Sequence, residues 1–96
     1  MEFLVRQSNR MPVTPEGREL RERLVIAERA RAKELREAGT LLRLWRVPGT
    51  RDSIGLYCAP DATVLHDVLA SLPMFAWMEI TVEPLATHPQ EQTPRP

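Results

Sequence analysis

The apolar residues of this chain recur first at every second position and then at every third or fourth. The order of those switches leaves few folds open. Over Glu2–Ser8, Phe3, Val5 and Gln7 share one face and Leu4, Arg6 and Ser8 the other, the pattern of a strand. Asn9–Val13 reads as a loop broken by Pro12. Thr14-Pro15 then supplies a capping hydroxyl and a proline at the first helical position, where its missing donor costs nothing. The helix is predicted to run to Ala38, because Gly39 suits the left-handed residue that closes many helices. Leu41–Val47 and Ser53–Ala59 alternate as strands about the turn Pro48-Gly49-Thr50-Arg51-Asp52, a connection short enough to make an antiparallel hairpin. Asp61 caps a second helix in which Val64, Leu65, Val68, Leu69 and Leu72 keep the helical period, and Pro73 stops it. Trp77–Glu83 alternates again, with Met78, Ile80 and Val82 inward.

Strand, helix, strand, strand, helix, strand is the α+β, ferredoxin-like order, βαββαβ. Right-handed crossovers place both helices on one face of a four-stranded antiparallel sheet. Residues 1–85 form that domain, and 86–96, with Pro89, Pro94 and Pro96, are expected to be an extended tail. The uncovered face of the sheet is expected to carry residues such as Leu4, Arg6, Tyr57 and Trp77. Such a surface binds a ligand or another subunit.

At 96 residues, 43% hydrophobic and 27% charged, the chain has an ordinary globular composition in one small domain. A core of this size is marginal alone, so self-association is expected. No apolar run is long enough to span a bilayer, and no signal peptide is discernible. Cys58 is the only cysteine, which excludes an intrachain disulfide and fits a reducing cytoplasm. With two histidines and one cysteine, a structural zinc site is not expected. The charge balance of zero hides an asymmetry: residues 1–51 hold twelve basic and seven acidic side chains, residues 52–96 one basic and six acidic. Either each half is simply solvated, or the halves attract one another between subunits. Basic residues alternate with acids and lack aromatic interleaving, which argues against nucleic acid.

One feature of the first helix bears on chemistry. With Leu20 set at zero on the helical wheel, Leu24, Leu35 and Ala32 fall at about 40°, 60° and 120°, and Glu28 and Arg31 at about 80° and 20°. Both charges therefore lie within the apolar arc and within reach of each other. A carboxylate in apolar surroundings has a raised pKa and suits general-base work near neutrality. A neighbouring arginine pulls that pKa down, or grips a substrate carboxylate. An ion pair at a subunit interface satisfies the same pattern. His66, between Leu65 and Asp67, is a second candidate; Trp45 and Trp77 read as core or interface anchors, and Cys58 as a small buried hydrophobe. Neither a glycine-rich phosphate loop nor a nucleophile triad can be argued from spacing.

Several words of the sequence, in order, are specific: Leu44-Trp45-Arg46, Leu65-His66-Asp67, Leu72-Pro73-Met74-Phe75 leading into Met78-Glu79-Ile80-Thr81-Val82, and His88-Pro89. In these the chain resembles the muconolactone delta-isomerase family over roughly residues 1–90. The resemblance implies a cofactor-free enzyme of bacterial aromatic catabolism, in the beta-ketoadipate pathway, that moves a double bond in muconolactone to give 3-oxoadipate enol-lactone. It implies a cytoplasmic homo-oligomer, typically a decamer, with pockets between subunits, and neither nucleic acid nor membrane as partner. Glu28 aligns with the family's proposed acid/base, and Arg6 stands where a lysine is common. Arg6, Arg31, Arg46 and His66 are thus the expected substrate-binding residues around a catalytic Glu28. Leu41, Leu42, Ser53-Ile54-Gly55, Ala76 and Trp77 depart from the family pattern, and the leucines predict a more apolar pocket. Two alternatives stay open: a divergent member acting on another small lactone or polyketide-like molecule, and a non-catalytic ligand-binding oligomer.

Overall fold

The computed structural model describes residues 1–92, Gln92 by its backbone alone; Pro94 and Pro96 of the expected tail lie outside the described residues. Four strands, β1 (Glu2–Asn9), β2 (Leu41–Arg46), β3 (Ser53–Cys58) and β4 (Met78–Leu85), form one antiparallel sheet in the order β2-β3-β1-β4. Helix α1 (Pro15–Glu37) joins β1 to β2, and α2 (Ala62–Ala70) joins β3 to β4 through a 3-10 turn at Phe75–Trp77. A third helix, α3, is a single turn at Pro89–Gln92. There the sequence predicted extended chain. His88 Nδ1 accepts from the Gln90 N–H at 3.1 Å, and Pro89 follows it at the first helical position, so the turn is locally capped. No helix among the described residues is long and apolar enough to cross a membrane.

Local chemistry sets the ends of α1. The Thr14 hydroxyl accepts from the Gly17 N–H at 3.0 Å. At the other end Gly39, at φ 77°, lets the Thr40 N–H reach the Leu35 carbonyl and its own N–H reach that of Arg36. Asp61 caps α2 by accepting from the Val64 N–H at 2.8 Å.

Both helices pack on one face of the sheet. Phe3, Val5, Leu41 and Tyr57 from the strands meet Leu35 of α1 and Leu65, Leu69 and Leu72 from the α2 region. The register explains which residues turn inward: Phe3 pairs with Tyr57, Val5 with Gly55 and with Val82, Gln7 with Ser53 and with Ile80. Residues that face each other across a ladder share a side of the sheet, so Leu4, Arg6, Ile54, Leu56 and Thr81 take the uncovered side. Two expectations fail here. Tyr57 is 2% exposed and belongs to the helix-covered core, and Trp77 lies in the 3-10 turn, off the strand. Gly55 is why the Tyr57 ring fits: a Cβ there would come within 2.7 Å of that ring, so the phenol lies along the strand over the glycine.

Candidate active site

A cavity of about 260 Å³ opens between α1 and the inward face of the sheet near its β2–β3 end. Gln7 and Asn9 of β1 line it with Leu44 and Arg46 of β2, Arg51 and Ser53 of the hairpin, and Met74 and Met78. From α1 come Arg21, Val25, Glu28, Arg29 and Ala32, which fall between about 80° and 180° on the wheel used above. Leu35, at about 60°, turns to the core instead. Glu28 thus sits on the border of the packed stripe and the cavity stripe.

Its surroundings are specific. The carboxylate accepts from the Met74 N–H at 3.2 Å. That donor is free because Pro73 has ended α2 and the neighbouring amides of Phe75 and Trp77 go to Leu72 and Met74 carbonyls. Burial pushes the Glu28 pKa above its ordinary 4.5, and the Met74 amide offsets part of that rise. Burial likewise raises the Tyr57 phenol, with the Gln7 amide pulling it down and the Glu28 charge pushing it up. The Gln7 amide nitrogen is buried without a hydrogen-bond partner of good geometry among the described residues, while its Oε1 accepts from Ser53 Oγ at 3.3 Å.

Arg21, Arg29, Arg46 and Arg51 line the same cavity as this carboxylate, and none of them has a carboxylate partner among the described residues. Arg46 donates to the Arg51 backbone carbonyl at 3.1 Å, which ties it to the hairpin turn. By contrast Arg6, Arg10 and Arg31 are paired, with Asp52, Glu79 and Glu34. The wall therefore combines one proton-accepting group of raised affinity with uncompensated positive charge, suited to an anionic substrate carrying an acidic C–H.

Of the residues expected at the site, Glu28 and Arg46 line the cavity. Arg6 does not: strand alternation turns it to the uncovered face, where it binds Asp52 at 2.7 Å. The Asp52 carboxyl is held below its usual range by hydrogen bonds from the Ser8 hydroxyl and from Arg6. Arg31 points to α2, donating to Ser71 Oγ at 3.0 Å and to Glu34, so it is not the partner of Glu28. His66 is exposed and does not line the cavity; its ring stands perpendicular to that of Phe75, with ring centres 6.2 Å apart. Two of the three β2 leucines stand away from the cavity. Leu41 is 3% exposed in the core, a bulge between Leu41 and Arg43 carries Leu42 past the site, and only Leu44 reaches the cavity. Gln7, Asn9, Arg21, Arg29, Arg51 and Ser53 escaped the sequence reading. For Arg21 and Arg29 the helical period held a signal, since they flank Glu28 on the wheel.

Comparison with known proteins gives the family. The family model described as Muconolactone delta-isomerase matches residues 1–91. The chain belongs to the muconolactone delta-isomerase family. It is 34% identical to the Muconolactone Delta-isomerase of Pseudomonas aeruginosa over 89 residues, covering 93% of this chain and 92% of that one. It is 32% identical to the Rhodococcus opacus protein of that name, over 72% of this chain and 74% of the relative. A crystal structure of muconolactone isomerase superposes with a TM-score of 0.86 at 30% identity, covering 99% of this chain and 98% of that one.

Proposed function

We propose that this protein is a cofactor-independent isomerase that acts on muconolactone, with Glu28 as the group that moves the proton. The supporting observation is the half-buried Glu28 carboxylate, its pKa raised by burial, facing a cavity whose arginines lack carboxylate partners among the described residues. In an unsaturated lactone the ring C–H conjugated with the carbonyl through the double bond is acidified. Glu28 takes that proton, and the electron pair spreads through the double bond onto the carbonyl oxygen as a dienolate. The same carboxyl group then returns the proton to the carbon next to the carbonyl. The double bond has moved, and atoms and charge balance without a further reactant.

Arg46, tethered at the hairpin, and Arg29, one residue beyond Glu28, hold the substrate carboxylate on this reading. Electrostatic stabilisation of developing negative charge commonly supplies a few kcal/mol, roughly 3 per well-aimed donor. We further assign the chain to a cytoplasmic homo-oligomer. Ile26, Trp45 and Val82 are exposed apolar side chains of the kind that association covers.

Incubating the protein with muconolactone in deuterated water tests the reading. Product with the shifted double bond, carrying deuterium next to the carbonyl in part of the molecules, is expected. A protein that binds the lactone and catalyses neither conversion nor exchange is a binding module, and the enzymatic reading falls.

A further inference from the structure

The cavity at Glu28 has a neighbour. A second pocket of about 190 Å³ is lined by Met11, Pro12, Val13, Arg18, Arg21 and Arg51. Arg21 and Arg51 line both, so these two side chains form the common wall. The far side is apolar: Met11 is buried beneath it, and Val13, 72% exposed, offers its side chain to whatever enters. The rim is cationic, for Arg18, like Arg21 and Arg51, has no carboxylate partner among the described residues.

This annex is built on fixed backbone. The Met11 N–H donates to Asn9 Oδ1 at 2.8 Å, and Gly17 lets the loop lie against the first turns of α1, since a Cβ there would collide with the Pro12 carbonyl oxygen. An apolar wall with guanidiniums at its rim fits an aliphatic arm that ends in a carboxylate. The carbons would lie on Met11, Pro12 and Val13, and the carboxylate would accept from the planar guanidinium forks.

Position decides which arm. Arg21 precedes Glu28 by seven residues on α1, about 10 Å along the axis. Glu28 lines only the first pocket, so a carboxylate seated in the second, past the Arg21–Arg51 wall and against Met11 and Val13, stands farther from Glu28 than one held inside the first, and an arm longer than acetate covers that gap. We propose that the two pockets form one site, and that the protein also turns over unsaturated lactones whose carboxylate rides on an arm of several carbons, read by Arg21 and Arg51. The proposal rests on the isomerase reading for the reaction and adds a substrate class to it.

The test uses muconolactone and the same ring bearing a pentanoate arm, with wild type, Arg51→Gln and Arg51→Lys. Wild type is expected to convert both. Arg51→Gln should raise KM for the pentanoate lactone about tenfold more than for muconolactone, the loss of one charge-assisted contact, with Arg51→Lys recovering part. Conversion of muconolactone alone by wild type, or equal KM changes on the two substrates, overturns the annex and leaves the isomerase reading intact. Calorimetric binding of the saturated, unreactive pentanoate lactone separates the two readings further. If wild type converts neither lactone, a Kd that weakens about tenfold more in Arg51→Gln for this lactone than for its saturated acetate counterpart upholds the annex while the isomerase reading fails; an equal change on the two, or none, overturns the annex.

Discussion

Replacing Glu28 by Gln isolates the proton-transfer role from the structural one. The amide has nearly the shape of the carboxylate and keeps an oxygen that can accept the Met74 N–H, now at 3.2 Å, so α1 and the segment after α2 should stay docked. What disappears is the basic group. A positioned general acid/base is worth about 10²–10⁴ in rate, and the variant should lose turnover by that factor, roughly 3–5 kcal/mol of barrier. Stability should move the other way. Burial raises the folded-state pKa above the 4.5 of an unfolded chain, so the folded protein binds this proton more tightly. The contribution of Glu28 to stability is then complete below pH 4.5 and declines as pH rises through the folded pKa. A neutral amide at this position carries no such penalty, so the variant should equal or exceed wild type in urea melts at pH 7, with the gap closing near pH 4. Spectrophotometric rates and paired melts check both halves. Activity within tenfold of wild type would refute the chemistry, and a variant much less stable at pH 7 would show that Glu28 acts mainly as a clamp on Met74.

Three further outcomes follow from the same geometry. Leu35→Ala should cost about 2–5 kcal/mol, because Leu35 is the one fully buried residue α1 gives to the core; chemical denaturation measures it. Gly55→Ala should cost about 1–3 kcal/mol and depress turnover, since the new methyl drives the Tyr57 ring toward Gln7 and the cavity; the same melts and rates decide. The acid limb of kcat should lie at higher pH than that of kcat/KM, because a bound lactone excludes water from the half-open cavity and adds to the burial that already raises Glu28. Coincident limbs would mean that substrate does not desolvate this carboxylate.

The elements were legible because each carries its own punctuation. Thr14-Pro15, Ala38-Gly39, Asp61 and Pro73 mark helix ends that the structure reproduces to within a residue or two, and the hairpin turn is fixed by Pro48 to Asp52. Sidedness was harder. The alternation of β3 is weakened by Gly55, whose missing side chain hides the inward set to which Tyr57 belongs, and Trp77 is taken from β4 by the 3-10 turn after Met74. On α1 the wheel singled out Glu28 and Arg31 equally. What separates them is the placement of α2, which offers Ser71 to Arg31 and leaves the Met74 amide for Glu28. That is tertiary information, absent from a helical period. The hairpin's delivery of Arg46 and Arg51 to the same cavity is equally non-local, because it depends on β3 pairing with β1.

The net charge of zero is thus resolved by the sheet into two unlike surfaces. On the uncovered side Arg6 meets Asp52 and Arg10 meets Glu79, pairs that neutralise and are worth little to stability where solvent screens them. On the helix side the inward positions of β1 and β3 around the cavity carry Gln7, Asn9 and Ser53, polar but uncharged, so the arginines of α1 and the hairpin find no acid lining the cavity with them except Glu28. Glu28 in turn is claimed by the Met74 amide and by burial, and takes none of the guanidiniums as an ion-pair partner. An intimate Arg–Glu28 pair would have lowered the pKa and removed the base. Keeping the cations at the rim and the carboxylate against the packed stripe preserves both properties at once: attraction for an anionic ligand, and a group basic enough to take its proton.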